Sequence, residues 1–367
     1  MLRKFIMTTA FAALACSPAL ANETLLSKSW DEIVAQAKQE GQVTWFNWYF
    51  EPEFRTVVAA FEEKYGIKVT IPDVNTADDV VSKIMAEKDI EKTDVDLISM
   101  GGATAFKLNP ADLFMGPIVP AMPEGDGLSN IIEGADWKGY GAQFWGNQTC
   151  MAYDPDRVEE SELPNTLEEL ASWMAKHPGQ LGLNFENGGS GPSLIHNVAR
   201  NILGISPDST VTEAPDLQPV FDWFIANEDN YVLTASNADT LSRFNAGEFT
   251  LVATWEDFLA GNIKRGEVSD RFKCYVPDFG MNGGGNVVSI PKNAAHPASA
   301  LVLAAWLTSA ETQTLFNREF GTAPANADAE SSFALVPAED RINRRDWGAP
   351  LASGDVIPKV IEHVFQR

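Results

Sequence analysis

Two successive blocks of alternating strands and helices constrain this chain more than any other feature. In the first block, Ser29-Trp30-Asp31-Glu32 is a capping box, and Ile33, Val34 and Ala37 give a helical stripe that stops at Gly41. Val43 to Trp48 then reads as a strand, and Pro52 opens a helix through Phe54, Val57, Val58 and Phe61 that ends at Gly66. Ile67 to Ile71 is the next strand, Thr76 with Asp79 caps the next helix, and Val95 to Met100 is a third strand. Such alternation predicts a parallel sheet covered by helices. Tyr140 to Tyr153 is aromatic and extended, ends at the turn Asp154-Pro155-Asp156, and is followed by a restart of the pattern. Thr166 with Glu169 caps a helix, Leu181 to Phe185 is a strand and Ser193 to Leu203 a helix. Further helices are predicted at 215–227, 238–246 and 297–308, with strands at 249–254, 272–276 and 286–290. No repeat or low-complexity linker separates the blocks. The expectation is an α/β protein of two lobes, each a mixed, mostly parallel sheet flanked by helices, joined by crossing strands around a ligand cleft.

The N-terminal segment stands apart from this pattern. Met1-Leu2-Arg3-Lys4 is basic, Phe5 to Ala15 is apolar, and Ala19-Leu20-Ala21 is a small-x-small site, so residues 1–21 read as a signal peptide. The apolar run is shorter than the roughly 20 residues of a spanning helix. Export to the periplasm follows as an expectation, with lipidation at Cys16 as the lesser alternative. Cleavage removes Arg3 and Lys4 and takes the formal charge from −24 to −26, with 51 acidic residues left in place. A field of that sign repels nucleic acid. Beyond Cys16 only Cys150 and Cys274 remain; an oxidising compartment permits a disulfide, and two buried thiols fit the sequence equally.

Catalytic and metal motifs are not assembled. His177, His196, His296 and His363 are isolated from one another, and no cysteine has a partner at zinc-ligand spacing. Gly188-Gly189-Ser190-Gly191 runs into Pro192 where a nucleophile elbow needs glycine. Gly283-Gly284-Gly285 is followed by Asn286 and makes no phosphate loop. The chain is therefore expected to be a binder that uses no cofactor, with a secreted α/β hydrolase as the competing class.

Parallel sheets bind ligands at the carboxyl ends of their strands. Those ends place Asn47, Trp48 and Tyr49 after the first strand and Ser99 in the third, with Trp145 in the crossing segment. The second block adds Asn184 and Ser190, then Trp255, Glu256 and Asp257, and the crossing return contributes Asn286. Glu256 and Asp257 beside Trp255 suit an organic cation, through cation–π contact and charge-assisted hydrogen bonds. The helix start after Gly188–Pro192 suits a carboxylate or phosphonate, so a zwitterion satisfies both. A neutral polyol, stacked on the aromatics and held by the asparagines, is a third option.

In this order the residues resemble those of the periplasmic solute-binding proteins of ABC importers, the group that includes polyamine, thiamine, ferric-iron and sugar binders. The resemblance spans the mature chain. It rests on Val43-Thr44-Trp45-Phe46-Asn47-Trp48, Phe61-Glu62-Glu63-Lys64-Tyr65-Gly66, Asp96-Leu97-Ile98-Ser99 and Met151-Ala152-Tyr153-Asp154 with Leu163-Pro164-Asn165-Thr166. Later points are Tyr275-Val276-Pro277-Asp278, Ser289-Ile290-Pro291-Lys292 and Gly321-Thr322-Ala323-Pro324. It implies lobe 1 from 22–146 plus 279–325, lobe 2 from 147–278 plus 326–367, closure around one small solute, and delivery by a monomer to a membrane permease with its ATPase. Ferric-iron binders of the group carry adjacent tyrosines, which this chain lacks. Polyamine and thiamine binders are closer, their second-lobe tryptophan and acidic residue being matched by Trp255 and Asp257, and their first-lobe aromatic by Trp48 or Tyr49.

Overall fold

The computed structural model describes residues 18–101, 104, 108–132, 135–187, 189–206, 215–346 and 356–366. Most of the expected signal peptide, including Cys16, lies outside them, and the described part begins with the helix Pro18–Leu26. No described helix is long and apolar enough to cross a membrane.

Among the described residues, twelve strands form the sheets: β1 (Gln42–Phe46), β2 (Lys68–Thr70), β3 (Leu97–Met100), β4 (Ile131–Ile132), β5 (Ala135–Asp136), β6 (Ala142–Tyr153), β7 (Leu181–Asn187), β8 (Tyr231–Ser236), β9 (Leu251–Trp255), β10 (Lys273–Tyr275), β11 (Met281–Ser289) and β12 (Arg344–Arg345). All but the β4–β5 hairpin belong to one mixed sheet, ordered β2-β1-β3-β11-β6-β9-β7-β8, with β10 beside β6 and β12 beside β11. β1 pairs in parallel with β2 and β3, and β7 in parallel with β8 and β9, as the two alternating blocks require. Between the blocks run β6 and β11, antiparallel from Gly283↔Gln148 to Val288↔Ala142. β6 then changes partner, pairing Thr149 to Tyr153 with β9.

The apolar side chains gather on either side of this crossing. One core holds Trp45, Phe54, Phe61, Phe144, Trp145, Leu301 and Phe316, with a smaller cluster around Phe46, Val80, Ile98 and Trp137. The other holds Met151, Leu170, Leu183, Ile195, Phe224, Phe249, Val252, Leu259, Met281 and Val360. Helix Pro297–Thr308 is apolar all round and nearly every residue of it is buried, as a helix without a polar face must be. The capping boxes at Ser29 and Thr166 form as their spacing predicts, and Thr76 caps through the Asp79 N–H.

Three local expectations change. The predicted helix after Pro52 is broken at Val58 into Glu51–Val57 and Ala59–Tyr65. Strand β11 begins at Met281 and takes in the glycine run, because the backbones of β6 and β11 approach so closely that a side chain at Gly285 would meet the Trp145 carbonyl at 2.0 Å. β8 is an additional strand, edge-paired to β7, in the span between the helices expected at 215–227 and 238–246, for which the sequence pattern predicts no element. Cys150 in β6 and Cys274 in β10 are joined as a disulfide with Cα atoms 5.7 Å apart, which decides between the two states the sequence left open.

Candidate functional site

The carboxyl ends of β1 and β9 face each other across a cleft of about 670 Å³, within the range of small-ligand sites. On one wall, β1 runs out through Asn47 into Trp48, Tyr49 and Phe50. Trp48 and Tyr49 meet edge to face at 4.8 Å, and Tyr49 packs on Phe54 and Trp145 at 5.8 and 5.7 Å. Phe50 adopts φ 49°, ψ 32° at the start of helix Glu51–Val57, a left-handed conformation that costs a non-glycine residue about 1–2 kcal/mol. The aromatic packing around its ring, on Trp145 and Phe320, offsets that cost.

The opposite wall is the turn from β9 into helix Glu256–Lys264. Trp255 is its N-cap residue and lies over Gly189, where any side chain would collide with the indole at 2.6 Å. Asp257 is 4% exposed. Its Oδ2 accepts the Trp145 Nε1–H at 3.1 Å, a bond that links the two walls at the floor, and its Oδ1 accepts the Phe258 N–H at 2.8 Å. Burial raises the Asp257 pKa from 3.8 to about 7, against the hydrogen bond from Trp145 and with help from the Glu256 charge. Burial likewise holds the Tyr49 hydroxyl well above its usual range. That hydroxyl makes no well-aligned hydrogen bond among the described residues, although Asn286 approaches it.

Of the residues expected from sequence, the structure brings Trp48, Tyr49, Trp145, Trp255, Asp257 and Asn286 to the cleft. The others lie behind it. Asn47 is buried and donates to the Tyr49 carbonyl. Ser99 accepts the Trp45 indole N–H at 2.8 Å inside the first core. Asn184 accepts from Ser190 Oγ at 2.8 Å and from the Gly191 N–H at 2.9 Å, so both residues hold the β7-to-helix turn and do not face a ligand. Glu256, expected as a counter-charge, points away from the cleft and is bound bidentately by Arg341 at 3.0 and 2.7 Å.

The same turn does not form the anion site expected at this helix start. Helix Ser190–Ile202 spends its Gly191 N–H on Asn184, and Pro192 has none, so its start offers few free donors. Thr76, Asp78, Thr104, Asn147 and Asn237, which the sequence pattern does not single out as ligand-facing, also line the cleft. Asp78 accepts from Thr104 at 2.5 Å at the start of helix Ala77–Glu87. Thr76 and Asp78 lie beyond the carboxyl end of β2, where the strand-end rule points, and Asn237 follows β8, a strand without a clear sequence signature. Among the described lining residues there are two carboxylates and no lysine, arginine or histidine. Nor, among the described residues, is there a group of three or more potential ligands that could hold a metal ion.

Residues 56–338 match the family model for bacterial extracellular solute-binding proteins, and the chain belongs to that family. Solved structures agree in fold. A Bordetella parapertussis protein described as an extracellular solute-binding protein superposes with a TM-score of 0.70 at 15% identity, covering 88% of this chain and 98% of its own. Iron-bound HitA from Pseudomonas aeruginosa gives 0.63 at 17%, covering 88% and 97%. The spermidine/putrescine substrate-binding protein PotD from Streptococcus pneumoniae gives 0.60 at 16%, covering 86% and 91%. These likenesses establish the two-lobed binding-protein fold. No curated protein matches at the sequence level.

Proposed function

We propose that the chain is the substrate-binding component of an ABC importer and captures a small organic cation or zwitterion, of the polyamine or thiamine type, between its lobes. The observation that carries this reading is the charge of the cleft: Asp257 and Asp78 with aromatic walls, and no basic side chain among the described lining residues. An ammonium group suits such a site through a charge-assisted bond to Asp257 and cation–π contact with Trp255 or Trp48. Tyr49, the one tyrosine among the described lining residues, offers no tyrosine pair for ferric iron.

The proposed lobes are 22–146 plus 279–325 and 147–278 plus 326–367. Two observations support them: the separate cores, and the passage of β6 and β11 between those cores. Closure about those strands would trap the solute, provided it binds the closed state better than the open one. The mature protein would act in the periplasm after loss of residues 1–21, as a monomeric, non-catalytic carrier that delivers to a permease and its ATPase. A thermal-shift panel of putrescine, spermidine, thiamine, glycine betaine, 2-aminoethylphosphonate and sorbitol tests the reading, since a ligand of the native state raises the melting temperature. Stabilisation by cations supports it; stabilisation by sorbitol alone contradicts it.

A further inference from the structure

We propose that Arg341, which lies outside the cleft, is a positioning residue for ligand capture: it clamps Glu256 and thereby aims Trp255 and Asp257 at the ligand. The inference rests on the reading of Asp257 as the ligand's counter-charge. Glu256 and Asp257 are consecutive in the first turn of one helix and their carboxylates go to different sides. Both Glu256 oxygens are taken by Arg341, at 3.0 and 2.7 Å, and the second also accepts the Val336 N–H at 3.3 Å. Trp255, the N-cap residue between β9 and this helix, makes no side-chain capping bond of its own and is held on the strand side by its pairing with Thr149 of β6, so the clamp on Glu256 holds the helix side of the turn.

Arg341 is itself held. It donates to the Val336 carbonyl at 3.2 Å, and its segment is tied to the crossing strand β11 by β12, which pairs Arg344 with Met281 and Arg345 with Asn282. Asn343 adds bonds to the Val276 carbonyl at 3.2 Å and to Asp278 at 3.0 Å. A buried ion pair contributes little net stability compared with apolar residues of the same size, whereas its fork geometry fixes orientation, which is the role assigned here.

Among the described residues the charges around Asp257 are few, and Asp78 lines the same cleft. Glu256 on its own helix raises its pKa, Arg341 compensates Glu256 from the C-terminal segment, and Tyr49 faces it from the β1 wall. Strand β6 contributes the neutral Trp145 and Asn147. From helix Ala310–Phe320, packed on the same helix, Glu319 is paired with Lys264 at the far end.

The test compares Arg341→Met, Arg341→Lys, Glu256→Gln and the double variant Glu256→Leu with Arg341→Met. One readout needs no ligand: the indole N–H resonance of Trp145, assigned through Trp145→Phe and followed with pH, which reports the Trp145–Asp257 bond. The second is putrescine affinity by calorimetry. Arg341→Met is expected to displace the resonance and weaken putrescine binding roughly 10- to 100-fold, the scale on which supports of a ligating side chain act at metal sites. Arg341→Lys should recover part of both. Glu256→Gln should lower the pH midpoint of the resonance, because it removes a like charge from Asp257 and frees that of Arg341. The double variant should melt near the wild-type temperature and still show the displaced resonance. Folded Arg341→Met or double variant with wild-type resonance, midpoint and affinity would overturn the proposal. If putrescine fails to bind the wild type, the cation reading falls, and the resonance still decides the role of Arg341.

Discussion

The two walls of the cleft are built from the same motif, an aromatic residue at the end of a parallel strand, and are held in place by different physics. The β1 wall is held by shape. Trp48, Tyr49 and Phe50 lean on Phe54, Trp145 and Phe320 through ring contacts within a few residues of one another or across one core. The β9 wall is held by charge: Trp255 and Asp257 flank Glu256, whose carboxylate is fixed from Arg341 far along the chain. Dispersion contacts tolerate modest substitution, while a buried ion pair does not tolerate loss of one partner. The first wall therefore acts as a platform, and the second sets which ligand is accepted.

Truncating the ring the walls share separates support from contact most strongly. Trp145→Ala should destabilise the protein by about 3–5 kcal/mol in urea unfolding, as a fully buried aromatic does. Trp255→Ala, half-buried, should leave stability nearly unchanged and weaken a cationic ligand by about 0.5–2 kcal/mol in calorimetry. Equal destabilisation by both would erase the distinction between support and contact.

Asp257→Asn comes next. Binding of a cation should fall by about 1.5–3 kcal/mol, the worth of a hydrogen bond to a charged group. Stability should change in the opposite sense. Because the folded pKa is raised, the folded protein holds a proton that the unfolded chain releases between about pH 4 and 7, so Asp257 lowers stability as pH rises through that window. The rise from 3.8 to about 7 bounds the cost at about 4 kcal/mol above pH 7. Asp257→Asn should therefore melt higher than wild type, with a larger gain at about pH 8 than at about pH 5, in calorimetric scans. The smallest effect is expected at Tyr49→Phe. Its hydroxyl has no well-aligned partner, so melting should be unchanged or slightly raised, and a loss of ligand affinity would show that the bound solute supplies that partner.

How far the sequence foretold these walls follows the same division. Capping boxes, the parallel alternation and the aromatic strand ends are local patterns, and they led directly to Trp48, Tyr49, Trp255 and Asp257. What failed was the facing of polar side chains. Asn184 and Ser190 are adjacent to a strand end, yet they satisfy backbone and side-chain donors of their own turn. Neighbouring carboxylates were indistinguishable in sequence, since only a partner 85 positions from Glu256 decides that it faces inward. Strand β8 carries no clear alternation, because its burial is irregular and its pairing with β7 breaks register after Asn184.

On this reading an ionised Asp257 receives the cation. Calorimetric titration of the best cationic ligand into wild type and Asp257→Asn, at about pH 8 and about pH 5.5, tests it most directly. With a pKa of about 7, wild-type affinity should fall roughly 30-fold between those values, for a ligand whose own charge is fixed, while the variant binds weakly and equally at both. Wild-type affinity that is independent of pH and unchanged by Asp257→Asn would contradict it.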